Sequence, residues 1–432
     1  MKAIRCRDKV KLDDLGIEIV SIALPAALAL AADPITSLVD TAFVGHLGSA
    51  ELAAVGVSIS IFNLVAKLFN IPLLNITTSF VAEEQAVLVK DGDGSTCVDQ
   101  DDNTGHQKTF LPSVSTSLAL ATAFGIAQTI ALYFGSGFLL NTMGIPANSP
   151  MRVPAEEFTS VRAFGAPAVV LALAAQGTFR GFKDTKTPLY GIGKYLIAFI
   201  LLWKLNKEVV LVIPKIDGEK VARYLKSGGL LMSRSFAVLV TMTLSTSVAA
   251  REGPLPMAGH QICLQVWLAL SLLTDALALA GQAILASSFS QRNYDEARKV
   301  IYRILQIGLA AGVGLAFILF FGFAPLSYLF STDSEVLKIA RSGTLFVAVS
   351  QPMNAIAFVL DGLYYGLSDF GYASYSMVVI GLATSAFFLL AVPKFGLAGV
   401  WTGLFLFMTL RVLAGIWRCG YKDTVTVYYK AI

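Results

Sequence analysis

Residues 177–184 read Gly177-Thr-Phe-Arg-Gly-Phe-Lys-Asp184, and residues 362–369 read Gly362-Leu-Tyr-Tyr-Gly-Leu-Ser-Asp369, one Gly-x-x-x-Gly-x-x-Asp pattern repeated at an offset of 185. Tyr190 and Tyr375 keep the same offset. Nearer the start of each half, Gly48, Leu52 and Ala53 line up with Gly253, Met257 and Ala258 at an offset of 205. The offsets differ by 20 because the first half carries a polar insert, roughly 83–109, where the second has only the short Arg292–Arg298 turn. The chain reads as two similar halves.

Long apolar stretches surround these motifs, at 17–45, 50–82, 111–145, 158–179, 188–203, 228–250, 257–289, 301–331, 337–366, 371–393 and 396–417. Each approaches or exceeds the roughly 20 helical residues that cross a ~30 Å hydrocarbon layer. A composition of 55% hydrophobic and 14% charged residues, with mean hydropathy +0.68, lies outside the balance of soluble domains. The runs are continuously apolar and do not alternate, which selects helices over barrel strands.

The tail Met1–Asp14 is charged and lacks a short apolar core with a cleavage site, so no signal peptide is read. Cys6, Cys97, Cys263 and Cys419 show no paired spacing, which argues against a disulfide framework or a metal site. The net charge of +4 bears on orientation and not on nucleic acid.

Beyond the repeat the halves disagree. From Tyr375 there are 43 residues to Arg418, room for two spans, but from Tyr190 only 14 to Lys204. One span and its turn are absent from the first half. Basic residues collect in cytoplasmic loops. Eleven literal spans would put Lys204–Lys226 outside, whereas one restored span puts every basic segment inside.

The expected architecture is an all-α membrane protein of twelve spans in two pseudo-symmetric six-helix lobes, one first-lobe span being missing. The expected division is a tail 1–14, a first lobe 15–204, a linker 205–227, a second lobe 228–418 and a tail 419–432, with both termini cytoplasmic.

Ionisable groups inside spans are costly and therefore candidates for function. Asp33 and Asp40 lie seven residues apart on one face of the first span, with Thr36 and Ser37 between them and Pro34 able to break the helix. A carboxylate held there can bind and release a proton, as a proton-coupled carrier requires.

Asn63, Lys67 and Asn70 form a polar stripe in the second span, and Lys67 is placed to pair with Asp40 or Asp33. In the second half Arg234, Thr241 and Ser245 share a face, Arg234 either lining the cavity or reaching to the inner interface. His260, Gln261 and Gln265 begin the eighth span, with Asp275 deeper, and His260 is expected near the outer surface. Asn354, Asp361 and Tyr365 share a face of the tenth span. Glu83 and Glu84, with the aspartates after them, read as a solvated loop.

The segment Pro34-Ile-Thr-Ser-Leu-Val-Asp40-Thr-Ala-Phe-Val-Gly45-His46-Leu-Gly48, with Arg180-Gly181-Phe-Lys-Asp184-Thr, resembles the multidrug and toxic compound extrusion (MATE) family. The likeness runs from about Leu15 to Arg418. It implies two six-helix lobes around a central cavity, cation-coupled antiport, and a coupling role for Asp40. Through Gly253-Pro-Leu-Pro-Met-Ala-Gly-His260-Gln-Ile-Cys-Leu-Gln265 and the insert after the second span, the chain is similar to plant members that export citrate. Relatives that handle drugs carry a glutamate in the seventh span, and Phe236–Ser247 has none.

The expected function is secondary efflux by proton-coupled antiport, with sodium as the alternative ion and no resident cofactor. The expected substrate is citrate or a related organic anion, the alternative being a xenobiotic. Asp40 and Asp33 take the coupling role. Thr36, Ser37, Asn63, Lys67, Asn70, Arg234, Gln261, Gln265, Asp275, Asn354, Asp361 and Tyr365 line the cavity. The partners are a small organic solute and the lipid bilayer, not nucleic acid, and the protein acts as a monomer. The plasma membrane is the first expectation for its location, with vacuolar or plastid membranes as alternatives. No pore-loop filter and no catalytic motif such as His-Glu-x-x-His supports a channel or an enzyme.

Overall fold

The structure is a computed structural model that describes residues 14–45, 58, 61–62, 64–91, 111–142, 148, 152–189, 205, 218–252, 254–328, 330 and 334–420. Every element in it is helical. In lipid this is forced, because a helix satisfies its backbone groups within the segment.

Helix α1 (Asp14–Gly45) continues through Pro34. A π-helical turn at Ala66–Asn70 leads into α2 (Ile71–Asp91). Next come α3 (Pro112–Thr142), the pair α4 (Arg152–Ala163) and α5 (Ala166–Gly181) bent by 49°, and the short α6 (Lys186–Leu189). The second half comprises α7 (Gly218–Arg251), α8 (Pro254–Ser290), α9 (Tyr294–Ser327), α10 (Ser334–Ser342), α11 (Thr344–Gly366) and α12 (Phe370–Gly420).

Seven of these helices are long and apolar enough to cross a membrane, and α4–α5 makes an eighth as one bent span. Helix α12 is two spans in sequence. Its 51 residues at about 1.5 Å each would more than double the ~30 Å core, and the backbone breaks at Gly396, where φ is +54°. Pro393 lies one turn before the break, and only glycine takes that φ together with ψ of −136° without strain.

The repeat is carried by the backbone. A Cβ on Gly177 would come 2.8 Å from the carbonyl oxygen of Leu74, and one on Gly181 3.0 Å from that of Thr78, so α5 presses directly on α2. A Cβ on Gly362 would overlap the Ala278 oxygen, and one on Gly366 would lie 2.9 Å from the Gln282 oxygen, so α11 presses on α8 in the same way. Gly125 meets Pro167 as Gly312 meets Pro352.

The turn after each motif also repeats. Lys183 and Ser368 both adopt positive φ, at 61° and 54°. The next amides close the turn: Asp184 donates to Phe179 O at 2.9 Å and Asp369 to Tyr364 O at 2.8 Å. Each aspartate then accepts from the following helix, Asp184 from the Thr187 amide at 3.0 Å and Asp369 from the Tyr372 amide at 3.3 Å. The invariant spacing of the motif is a close approach followed by a left-handed turn and a cap.

The halves meet along α1, α2 and α8. Ile19 and Ile22 of α1 pack with Leu277 and Ile284, and Ala26 with Ala276 and Leu279. Gln282 Nε2 donates to Asn75 O and to Ser79 Oγ, both at 2.9 Å, and Ser79 Oγ donates to Tyr365 O at 2.7 Å.

One sequence expectation is corrected at the basic ends. Glu83 and Glu84 are not in a solvated loop, because α2 runs on to Asp91 and carries both. Glu83 Oε2 receives Arg223 at 2.7 Å and its other oxygen receives the Ser368 hydroxyl, while Glu84 faces Lys220 at 3.5 Å and accepts from the Ser113 amide at 2.7 Å. Lys220 and Arg223 belong to α7, which begins at Gly218 inside the expected linker 205–227. Opposite charges thus tie the inner ends of α2 and α7. The remainder of the expected insert, 92–109, lies outside the described residues.

Two outcomes follow from this packing. Gly362→Ala should lower the apparent melting temperature of the purified protein by several degrees, since forcing apart two backbones costs about 1–3 kcal/mol. Gly314→Ala, with no neighbour within 4 Å, should leave it unchanged or slightly raised. In a double-mutant cycle, Glu83→Gln and Arg223→Gln should couple by no more than ~1 kcal/mol, because the Arg223 side chain is 57% exposed. That coupling should shrink in high salt.

Candidate functional site

The second half contains a buried charge cluster. Asp361 is the neighbour of Gly362 on α11, about 100° around the helix from the glycine that presses on α8. Its Oδ2 receives Arg234 Nη2 of α7 at 2.5 Å and Arg411 Nη2 of α12. Asp361 and Arg411 are 8% and 7% exposed. Two guanidiniums share one carboxylate, which leaves the cluster one positive charge in excess.

Aromatic faces hold the arginines in place. The Arg234 guanidinium lies 5.5 Å from the Tyr365 ring centre, and that of Arg411 lies 5.2 Å from Phe358 and 5.5 Å from Phe407. Arg411 Nη1 also contacts Met408 Sδ at 3.0 Å. Both Nε atoms are buried without a hydrogen-bond partner. A small cleft beside the cluster is lined by Leu360, Tyr364, Ser376, Met377 and Arg411. The arrangement suits an anion, because unused donors and uncompensated charge point into a water-poor site.

Arg234 therefore does not reach to the inner interface, the second possibility its position allowed. Arg411 was not anticipated at all. Its place in the middle of the last apolar run was the available signal, since a charge there requires a partner.

The remaining candidates divide. Asp275 on α8 is half-buried, within electrostatic reach of Arg180, Asp361, Arg234 and Arg411, but in no contact pair. Gln261 and Gln265 are exposed on the α8 face that leads toward Asp275. Asn354 does not face the cleft: it is fully buried in the α8–α11 seam and donates to Ser271 Oγ at 2.8 Å. Asn70 is likewise buried and accepts from Gln128 Nε2 at 2.6 Å, binding α2 to α3.

Thr241 and Ser245 are buried and return their hydroxyls to their own helix, at Ala237 O and Met242 O. His260 is not at the surface; it is 0% exposed, and neither ring nitrogen has a partner. The backbone of Asp33, Thr36, Ser37 and Asp40 is helical within α1, and that of Lys67 lies in the π-helical turn. Their side chains, and Asn63 altogether, lie outside the described residues. Among the described residues no group of three His, Cys, Asp or Glu side chains could hold a metal ion.

Comparison with known proteins agrees with this architecture. The sequence model of the MatE family matches residues 25–83 and 231–392. Protein DETOXIFICATION 44, chloroplastic, of Arabidopsis thaliana is 62% identical over 437 aligned positions, covering 94% of this chain and 82% of the relative. Those positions exceed the residues this chain contributes by about thirty. Protein DETOXIFICATION 45, chloroplastic, of the same plant is 48% identical, covering 94% of this chain and 79% of the relative.

Among solved structures, the outward-facing conformation of a multidrug resistance MATE family transporter of the MOP superfamily superposes with a TM-score of 0.82. It shares 17% identity and covers 96% of this chain and 97% of that one. The chain belongs to the MATE family and is a membrane-embedded secondary efflux transporter, not an enzyme.

Proposed function

We propose that this transporter exports a small organic anion, citrate or a related carboxylate, by proton-coupled antiport. The observation that carries the reading is the convergence of Arg234 and Arg411 on the single carboxylate of Asp361. A cationic drug placed about 5 Å from the excess positive charge would be repelled by about 3 kcal/mol at an effective dielectric of 20. A substrate carboxylate in the same place meets donors of the right geometry and sign.

In this reading Asp361 is a built-in anion that keeps the arginines compensated while the site is empty, and the substrate competes for them. Gln261, Gln265, Asp275 and Tyr365 line the approach. Coupling is assigned to Asp40 and Asp33 on the strength of the Val-Asp-Thr element of α1, and Thr36, Ser37, Asn63 and Lys67 are assigned to the cavity lining. Protonation there would repack α1 and change access to the space between the halves. The protein works as a monomer in a plastid membrane, a location that the names of its two chloroplastic relatives favour over the plasma membrane.

The test is counterflow in proteoliposomes containing the full chain, with labelled citrate and a fluorescent dye cation compared under an imposed pH gradient. Citrate should show trans-stimulation, and Arg234→Gln should reduce it by about tenfold or more, the worth of one charge-assisted hydrogen bond. Asp40→Asn should abolish the part driven by the proton gradient. Exchange of the dye without citrate would replace the anion with a xenobiotic.

A further inference from the structure

A third arginine approaches the same region from the other half. Arg180 of α5 is 6% exposed, and among the described residues it makes no hydrogen bond and no ion pair. Burial of an uncompensated guanidinium is unfavourable, so its retention calls for a partner that comes and goes. Packing alone does not account for it: the close approach of α5 to α2 is made by the flanking Gly177 and Gly181.

Its electrostatic counterpart is Asp275 of α8. Asp275 and Arg180 lie within electrostatic reach of each other, yet the two do not close into a contact pair. Asp275 also feels Arg234, Arg411 and Asp361. The repeat fixes the depth of Arg180, because the offset of 185 sets it where the second half has Tyr365. Arg234 lies over the Tyr365 ring, so Arg180 holds in the first half the repeat position that in the second lies beneath Arg234. Of the three buried or half-buried arginines, the one without a contact partner among the described residues belongs to the first half.

We infer that Arg180 receives a second carboxylate of a di- or tricarboxylate whose first carboxylate is held by Arg234 and Arg411. The site then selects polyvalent over monovalent organic anions. This rests on the anion reading above and adds the first half's contribution to it. A monocarboxylate is satisfied by the Arg234–Arg411 pair and leaves Arg180 empty. A polyvalent anion held at that pair has a further carboxylate to offer Arg180.

Counterflow of labelled citrate, succinate and lactate by the full chain in proteoliposomes tests the assignment. Arg180→Gln should lower kcat/KM for citrate relative to lactate by about tenfold, mainly through KM, the loss expected for one charge-assisted contact. Succinate should fall between them, and Arg180→Lys, which keeps the charge without the fork, should recover part of the citrate selectivity. Equal losses on all three anions in both variants would make Arg180 a structural residue and overturn the inference, as would no loss on any, and in both cases the anion reading would stand. Failure of the unsubstituted protein to exchange any of the three would overturn the anion reading itself.

Discussion

Between helices in a bilayer there is no hydrophobic gain, so what holds them is close contact of backbones where side chains are absent. The glycine contacts of α5 on α2 and of α11 on α8 meet that constraint twice with one geometry. Everything else is positioned from them. The residue just before the second glycine of each motif is Arg180 in one half and Tyr365 in the other, and Asp361 immediately precedes the first glycine of the second copy, where the first copy has Gln176. A helix packed this tightly along one side must display its remaining residues on the others, and those carry the charges.

Burying those charges imposes a second constraint. Removing Asp361 would leave two guanidiniums uncompensated, at a cost of about 3–5 kcal/mol, whereas removing one arginine leaves a neutral pair. The cluster is therefore asymmetric in its dependence: three helices, α7, α11 and α12, are joined through one side chain. Under the proposed reading a ligand carboxylate that joins Asp361 on the two guanidiniums makes two positive and two negative groups, so substrate would enter without exposing a bare charge to a water-poor interior.

The fold was largely legible in the sequence because lipid leaves few alternatives. Apolar length set the helices, and the Gly-x-x-x-Gly-x-x-Asp repeat set the halves. The site was legible only in part. Polarity within a span marks a residue as costly to bury but does not say what satisfies it. Asn70, Asn354, Thr241 and Ser245 were all polar and intramembrane, and each spends its hydrogen bonds on holding helices together or on its own backbone. Arg234 and Asp361, 127 positions apart, meet only because α7 and α11 are neighbours. Glu83 and Glu84 looked like loop residues because a helix end that emerges from the membrane becomes polar before it stops being a helix.

The halves share a scaffold but not a chemistry, and the difference bears on how transport would be driven. A cation-coupling carboxylate has to be available to its ion. Asp361 is committed to two arginines, both of them fixed parts of the protein. Under the proposed reading this moves coupling to the first half, to Asp33 and Asp40 on α1, while anion recognition is concentrated in the second. The two events then occur on helices in direct contact, since α1 packs along α8, the helix that carries Asp275. In that reading a repacking of α1 on protonation would reach Asp275 through that contact, and the neighbouring anion site would change without any ion binding there.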